Sequence, residues 1–222
     1  MAAPRALTVY IDYKSPYAYL AMDLVYQLAG ELDVDVEWLP YALDIPSALG
    51  AARIDDDGRV VEETRNPHQW RRVRYSYMDC RRQANKRGLT IRGTRKIWDS
   101  TLALCGMLYA KRYENHQGQE VLRRYHDIVF ERFWKRELDI ENAEVIADVL
   151  HEAGADGDGF PAYAKGEGPG ELARICRDAE AEGVFGVPSF IVDGELFWGR
   201  EHLPDIRAML CAASPLIASP QA

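Results

Sequence analysis

Hydrophobic residues near the start of the chain follow patterns typical of two strands and one helix. Ala6–Ile11 is a short run of β-branched, aromatic and aliphatic residues, and apolar and polar residues alternate between positions 34 and 39. Between these runs, from Tyr17 to Gly30, leucine and valine recur at helical spacing. Because a helix joins the strands, we predict that they are parallel and form a βαβ unit.

The middle of the chain, between about residues 42 and 183, shows helical spacing and no strand patterns. Glycine-rich breaks at residues 154–159 and 166–170 separate the later segments, and the acidic stretch at 55–58 predicts a loop. The predicted helices cover residues 70–87, 98–113, 121–134, 143–153 and about 171–182.

Strand patterns return near the end of the chain. Ser189–Val192 and Glu195–Trp198 flank Asp193-Gly194, a dipeptide typical of a two-residue hairpin turn, and Leu203–Leu210 predicts a final helix. The complete order is βαβ, a helical block, then ββα. This order predicts an α/β fold, with a thioredoxin-like core formed by residues 1–45 and 183–222 and an all-helical insertion formed by residues 46–182.

Composition and charge are those of an ordinary globular protein, with 47% hydrophobic and 28% charged residues. The net charge of -8 argues against a nucleic-acid partner. No stretch reaches the roughly 18 apolar residues that a membrane span needs. The first residues lead into a strand without the apolar region of a secretion signal, so we expect a cytoplasmic protein.

The four cysteines are far apart in the sequence. Their spacing fits neither a C-x-x-C redox pair nor a zinc site, and we expect free thiols with no disulfide. The five histidines also lack a spacing suited to a metal site or a catalytic triad. The cysteines are Cys80, Cys105, Cys176 and Cys211.

The first predicted helix begins with Ser15-Pro16-Tyr17-Ala18. In a thioredoxin-like core this helix start stabilises a thiolate, because unpaired N–H groups and the positive end of the helix dipole point there. A dithiol enzyme needs cysteines at the first and fourth of these positions, and this chain has neither. Serine followed by proline is also a preferred start for any helix, so Ser15 alone is explained by capping.

A second motif, far away in the sequence, changes the interpretation of Ser15. Pro188 stands directly before the predicted strand at Ser189. In thioredoxin-like folds a proline at this place follows a cis peptide bond and faces the start of the first helix. We therefore predict a cis Val187–Pro188 bond next to Ser15.

Taken together, these motifs resemble those of the 2-hydroxychromene-2-carboxylate isomerases, which are DsbA-like thioredoxin-fold proteins similar to kappa-class glutathione transferases. The matching segments are residues 12–21, residues 183–190 and Phe197-Trp198-Gly199. A third segment follows the family pattern Lys-x-x-Tyr-x-x-x-Asp-x-x-Arg-x-Ala through Arg72, Tyr75, Asp79, Arg82 and Ala84, with arginine in place of the lysine.

The resemblance implies a glutathione site. Ser15 would donate a hydrogen bond to the glutathione sulfur, and the backbone of Val187, before Pro188, would pair with the cysteinyl part like an added strand. Arg72 matches a lysine that meets a glutathione carboxylate.

Two further residues match the part of the family site that contacts the γ-glutamyl end of glutathione. They are Arg200 and Glu201, at positions where relatives have Asn or Ser followed by Asp. Glu201 keeps the acid, but Arg200 places a long cation where relatives have a short polar group.

On the substrate side, the resemblance implies contacts from Tyr17, Trp98 and Asp99. Relatives often have Phe-Pro-x-Asn where this chain has Ile97-Trp98-Asp99-Ser100, so the resemblance does not determine which substrate is bound. Trp98 is equally explained as a core aromatic residue. The implied activity is glutathione-dependent isomerisation of an aromatic unsaturated 2-oxo acid or its cyclic hemiketal by a homodimer. A kappa-type transferase, a non-catalytic glutathione- or thiol-binding protein and a redox chaperone are the alternatives.

Overall fold

The computed structural model describes residues 6–55, 57–113 and 118–212. Its main sheet contains the parallel strands β1 (Ala6–Ile11) and β2 (Asp35–Pro40), which the sequence predicts. It also contains the hairpin of β5 (Ser189–Val192) and β6 (Glu195–Trp198), and β5 runs antiparallel to β1. The strand order is β2-β1-β5-β6, which confirms the thioredoxin-like core.

The helices of the described residues follow the predicted order, with three additions. A 3-10 turn at Arg200–His202 precedes the last helix. The short helices α2 and α7 have no counterpart in the sequence prediction. The helices are α1 (Pro16–Leu32), α2 (Ile45–Leu49), α3 (Pro67–Lys86), α4 (Thr101–Lys111), α5 (Gly118–Lys135), α6 (Ala143–Ala153), α7 (Phe160–Lys165), α8 (Gly168–Ala181) and α9 (Leu203–Cys211).

The insertion is not entirely helical, so that part of the prediction is wrong. Strands β3 (Ala52–Ile54) and β4 (Val60–Glu63) form an antiparallel hairpin before α3. All four residues of β4 are exposed, so the strand has no buried face and no apolar alternation to reveal it. The predicted acidic loop at 55–58 is the turn of this hairpin, and its residue 56 lies outside the described part of the chain.

Several helix boundaries also differ from the prediction by one to three residues, and those of α1 and α4 are examples. Helix α1 continues past Gly30 to Leu32, where Asp33 ends it in a left-handed conformation and donates its N–H to Ala29. Helix α4 begins at Thr101 instead of residue 98, so Trp98 lies in the segment before the helix. Both differences concern helix ends, where periodicity is least informative.

The pairing of the strands fixes the place of the predicted site. Tyr10 lies opposite Ser189 in the β1–β5 pair, so the residues after β1 and those before β5 meet at one edge of the sheet. Leu7, Val9 and Ile11 of β1 are completely buried and hold the strand in the core. None of the helices in the described ranges is long and apolar enough to cross a membrane.

Candidate active site

Ser15 lies at the strand-to-helix junction and makes two side-chain hydrogen bonds. Its hydroxyl oxygen accepts the Ala18 N–H at 3.2 Å, which is the N-cap bond of α1. The same hydroxyl donates to the carbonyl oxygen of Val187 at 3.3 Å. Only 4% of Ser15 is exposed. The capping role is therefore confirmed, and Ser15 also contacts the loop before β5.

The loop before β5 contains the predicted cis bond between Val187 and Pro188. Ser189 donates its hydroxyl to the Gly186 carbonyl at 2.7 Å, and Gly199 donates its N–H to the Pro188 carbonyl at 3.0 Å. The N–H of the buried Val187 has no hydrogen-bond partner among the described residues. This N–H is therefore available to an extended ligand.

Arg200 and Glu201 lie directly after β6, close to this loop. Glu201 folds its carboxylate over Gly199, where a Cβ atom would come within 2.5 Å of a carboxylate oxygen. Arg200 is half-buried and close enough to Cys80 for its charge to affect the thiol. Neither side chain makes an ion pair with a described residue, which leaves both charges free for a ligand.

Helix α3 carries Arg72 and approaches the start of α1 through Tyr17. The Tyr17 hydroxyl donates to the Asp79 carboxylate at 3.3 Å, and burial together with nearby Cys80 and Asp79 raises its pKa. Arg72 lies on the same face as Asp79, about 10 Å along the helix, and has no ion-pair partner among the described residues. The Tyr17–Asp79 hydrogen bond thus connects α1 to α3. A contact between Tyr17 and a substrate remains a prediction.

Trp98 and Asp99 precede α4 and are held by their neighbours. Trp98 donates its indole N–H to the Thr94 hydroxyl at 3.0 Å and is half-buried. Asp99 accepts the backbone N–H of Thr101 at 2.9 Å and its hydroxyl at 2.6 Å. Burial alone would raise the pKa of Asp99, but these bonds and the charge of Lys14 lower it. A contact of Trp98 or Asp99 with a substrate remains a prediction.

Asp12 and Lys14 are site-forming residues that sequence reasoning missed. The fully buried Asp12 accepts the Leu43 N–H at 2.8 Å and the Lys14 N–H at 3.1 Å, and the Lys14 ammonium lies 3.5 Å from its carboxylate. These bonds fix the turn that presents Ser15. A charged residue directly after a buried strand was the available signal.

The four cysteines are free, as predicted. None of them belongs to the 15–18 segment, so the helix start has no thiol of its own. Burial raises the pKa of Cys80 to about 12, although the nearby Tyr17 hydroxyl and the Arg200 charge act in the opposite direction. A buried thiol with a raised pKa is a poor nucleophile.

The chain is similar to known proteins in sequence and in fold. The chain is 24% identical over 208 residues to a 2-hydroxychromene-2-carboxylate isomerase from Sphingobium xenophagum, covering 93% of this chain and 98% of that protein. The structure of a 2-hydroxychromene-2-carboxylate isomerase superposes with a TM-score of 0.70 at 19% identity, covering 92% of this chain and 94% of that one.

The cytosolic disulfide reductase DsbM from Pseudomonas aeruginosa, solved with GSH, superposes with a TM-score of 0.55 at 20% identity, covering 92% of this chain and 96% of that one. At these identities the solved structures support the fold alone. The family model described as a DSBA-like thioredoxin domain matches residues 6–210. This chain therefore belongs to the DSBA-like thioredoxin domain family.

Proposed function

We propose that the protein is a glutathione-dependent isomerase of an aromatic unsaturated 2-oxo acid or its cyclic hemiketal. The observation that carries this proposal is the contact between the Ser15 hydroxyl and the Val187 carbonyl, at a helix start that lacks cysteine. Such a site can hold a foreign thiol but cannot form a disulfide of its own. The 24% identity to a named isomerase over most of both chains supports the same class of activity.

Several groups that have no partner among the described residues fit glutathione. The free N–H of Val187 would pair with the cysteinyl backbone, and the Ser15 hydroxyl would turn from the Val187 carbonyl to the sulfur. Glutathione also carries two carboxylates and one ammonium group. Arg72 and Arg200 offer two unpaired cations and Glu201 one unpaired anion, so the charges match in number and sign.

The chain's own residues would prepare the reaction. When bound, glutathione would supply a thiolate that adds reversibly to a conjugated double bond, so that rotation becomes possible before the thiolate is expelled. Ser15 and the N–H groups at the start of α1 would stabilise the thiolate form of that thiol. Trp98 and Asp99, before α4, would contact the aromatic substrate.

Product analysis tests the proposal and separates it from its alternatives. Purified protein is titrated with glutathione by calorimetry and then incubated with 2-hydroxychromene-2-carboxylate and glutathione. We expect saturable binding, conversion to the open-chain isomer and no consumption of glutathione. A glutathione conjugate would instead identify a transferase, and binding without turnover would identify a binding protein. Absence of glutathione binding would refute the proposal.

Gly199→Ala is expected to weaken glutathione binding, because the new methyl group displaces the Glu201 carboxylate. The residue has a φ of +106°, so alanine also strains the backbone by about 1–3 kcal/mol. Gly194→Ala is the matched control, since Gly194 has a φ of +80° but no atom within 4 Å of the added Cβ. Both variants should lose stability in chemical denaturation, and only Gly199→Ala should bind glutathione more weakly. If the two variants bind glutathione with equal affinity, Glu201 does not belong to the glutathione site.

A further inference from the structure

Lys14 lies between the end of β1 and Ser15, and its side chain is nearly buried. Only 10% of that side chain is exposed, although proteins rarely bury lysine. Lys14 and Ser15 are consecutive, so their Cα atoms are about 3.8 Å apart. The junction that presents the serine of the candidate active site therefore also carries a lysine that is almost removed from solvent.

The ammonium group of Lys14 has hydrogen-bond donors to spare. Its one ion-pair partner among the described residues is Asp12, at 3.5 Å, and it donates no hydrogen bond within that part of the chain. Both Asp12 oxygens already accept backbone N–H groups, from Leu43 and from Lys14 itself. An ammonium group has three donors, and a buried charge is favourable only when it is both paired and hydrogen-bonded. Lys14 can therefore still bind acceptors that a ligand brings.

Two further carboxylates are influenced by the charge of Lys14 without pairing with it. Burial raises the pKa of Asp99, but hydrogen bonds from Thr101 and then the Lys14 charge lower it. Hydrogen bonds from Ser47, followed by the Lys14 charge, lower the pKa of Asp44. Neither carboxylate lies within 4 Å of the ammonium group. The charge of Lys14 thus acts on Asp99, in the segment that the resemblance assigns to the substrate, and that carboxylate does not occupy its donors.

The proposed reaction needs a cation next to the substrate. When a thiolate adds to an unsaturated 2-oxo acid, a carbon–sulfur bond forms, the double bond moves next to the carbonyl carbon, and an electron pair moves onto the 2-oxo oxygen. The reverse movement after rotation expels the thiolate, so no proton and no further reactant is consumed. The 2-oxo oxygen and the adjacent carboxylate then both carry negative charge, which a fixed donor in a water-poor site stabilises.

We propose that Lys14 binds the 2-oxo acid end of the substrate, with its ammonium group donating to the carboxylate and to the 2-oxo oxygen. This assignment rests on the proposed function, which supplies the substrate class. Lys14 stabilises the oxygen that becomes negative during thiolate addition, while Ser15 stabilises the thiolate. The cations Arg72 and Arg200 remain for the carboxylates of glutathione.

Calorimetric titration of the full chain with 4-phenyl-2-oxobutanoate tests the assignment, with and without saturating glutathione. This 2-oxo acid has no conjugated double bond, so a thiolate cannot add to one and binding is measured without turnover. We expect saturable binding that Lys14→Met weakens at least about tenfold, the loss that corresponds to one hydrogen bond to a charged group. Lys14→Arg should keep most of the affinity. Binding of 4-phenylbutan-2-one, which lacks the carboxylate, should be the same in wild type and Lys14→Met.

Two control variants separate binding from folding and from general charge. Lys135→Met removes a cation from an ion pair with Glu131 on α5 and should bind the acid like wild type. Lys14→Met leaves the buried Asp12 without its cation, which destabilises the fold. The double variant Asp12→Asn/Lys14→Met removes both charges, and it should fold and bind the acid as weakly as Lys14→Met. Circular dichroism verifies the fold of each variant.

Three results would overturn the role of Lys14. They are the absence of saturable acid binding to wild type up to about 10 mM under either condition, wild-type acid affinity in the double variant, and an equal loss for the acid and the ketone in Lys14→Met. Failure of the proposed function gives a different result. If acid binding depends on Lys14 but no isomerisation occurs, the proposed reaction is wrong and the 2-oxo acid site stands.

Discussion

Ser15→Ala is expected to slow glutathione-dependent turnover at neutral pH at least about tenfold, by removing the hydroxyl that holds the thiolate. A hydrogen bond to a charged group contributes about 1.5–3 kcal/mol, and each 1.4 kcal/mol changes a rate about tenfold. The pKa of the bound glutathione thiol should rise, because the thiolate loses a donor while the neutral thiol does not. Ultraviolet absorbance of the thiolate against pH, together with initial rates, measures both effects.

Loss of the helix cap has to be separated from loss of the site. Ser15→Ala also removes the acceptor of the Ala18 N–H, which should lower stability by about 1 kcal/mol. Asn142→Ala is the matched control, because Asn142 caps α6 with bonds to Glu144 and Val145. It should give a similar loss of stability with unchanged turnover. If the two variants have the same thiol pKa and the same rate, Ser15 is only a cap.

The free energy of unfolding is expected to fall as the pH drops below 6.5, because His126 is buried in its neutral form. Burial, with a smaller effect of the Lys111 charge, lowers the pKa of His126 from 6.5 to about 3. Between pH 3 and 6.5 His126 therefore binds a proton in the unfolded chain but not in the folded chain. The free energy of unfolding rises with pH over this range. The full difference amounts to about 5 kcal/mol at most. Urea denaturation at a series of pH values measures the slope.

A histidine variant isolates this contribution from that of the carboxylates. His126 lies among aromatic rings, with Tyr13 at 5.9 Å and Trp38 at 5.2 Å between centroids, and its ring nitrogens have no partner among the described residues. Phenylalanine suits these surroundings, so His126→Phe should fold and lose the part of the slope between pH 3 and 6.5 that His126 contributes. His68→Phe replaces an exposed histidine, and this variant should keep the wild-type slope. Parallel slopes for wild type and His126→Phe would contradict burial of a neutral imidazole.

The elements that the sequence predicts accurately are those with several independent local signals. β1 and α6 have the predicted boundaries, because β1 is fully apolar on its buried side and α6 is bounded by the Asn142 cap and Gly154 in a left-handed conformation. The missed elements α2, α7, β3 and β4 have six residues or fewer. The short helices show at most two turns of apolar spacing, and β3 and β4 have no fully buried residue, so tertiary contacts decide their structure.

The predicted site shows the same division between local and long-range information. Ser15 and Pro188 are recognisable from their own neighbours, and the structure brings their segments together. The bond from Leu43 to Asp12 and the bond from Tyr17 to Asp79 join distant segments, and neither has a local pattern. Their existence depends on how α2 and α3 pack, which single-sequence reasoning does not reach.

The hydrogen bond between Ser15 and Val187 also determines when the site can form during protein synthesis. Its two partners are 172 positions apart, so the ribosome has to complete the whole insertion and then Val187 before Ser15 can form this bond. Segments that emerge earlier can fold as a unit in the meantime. A nascent chain that stops before Val187 therefore has the serine and most helices, but it has no thiol site.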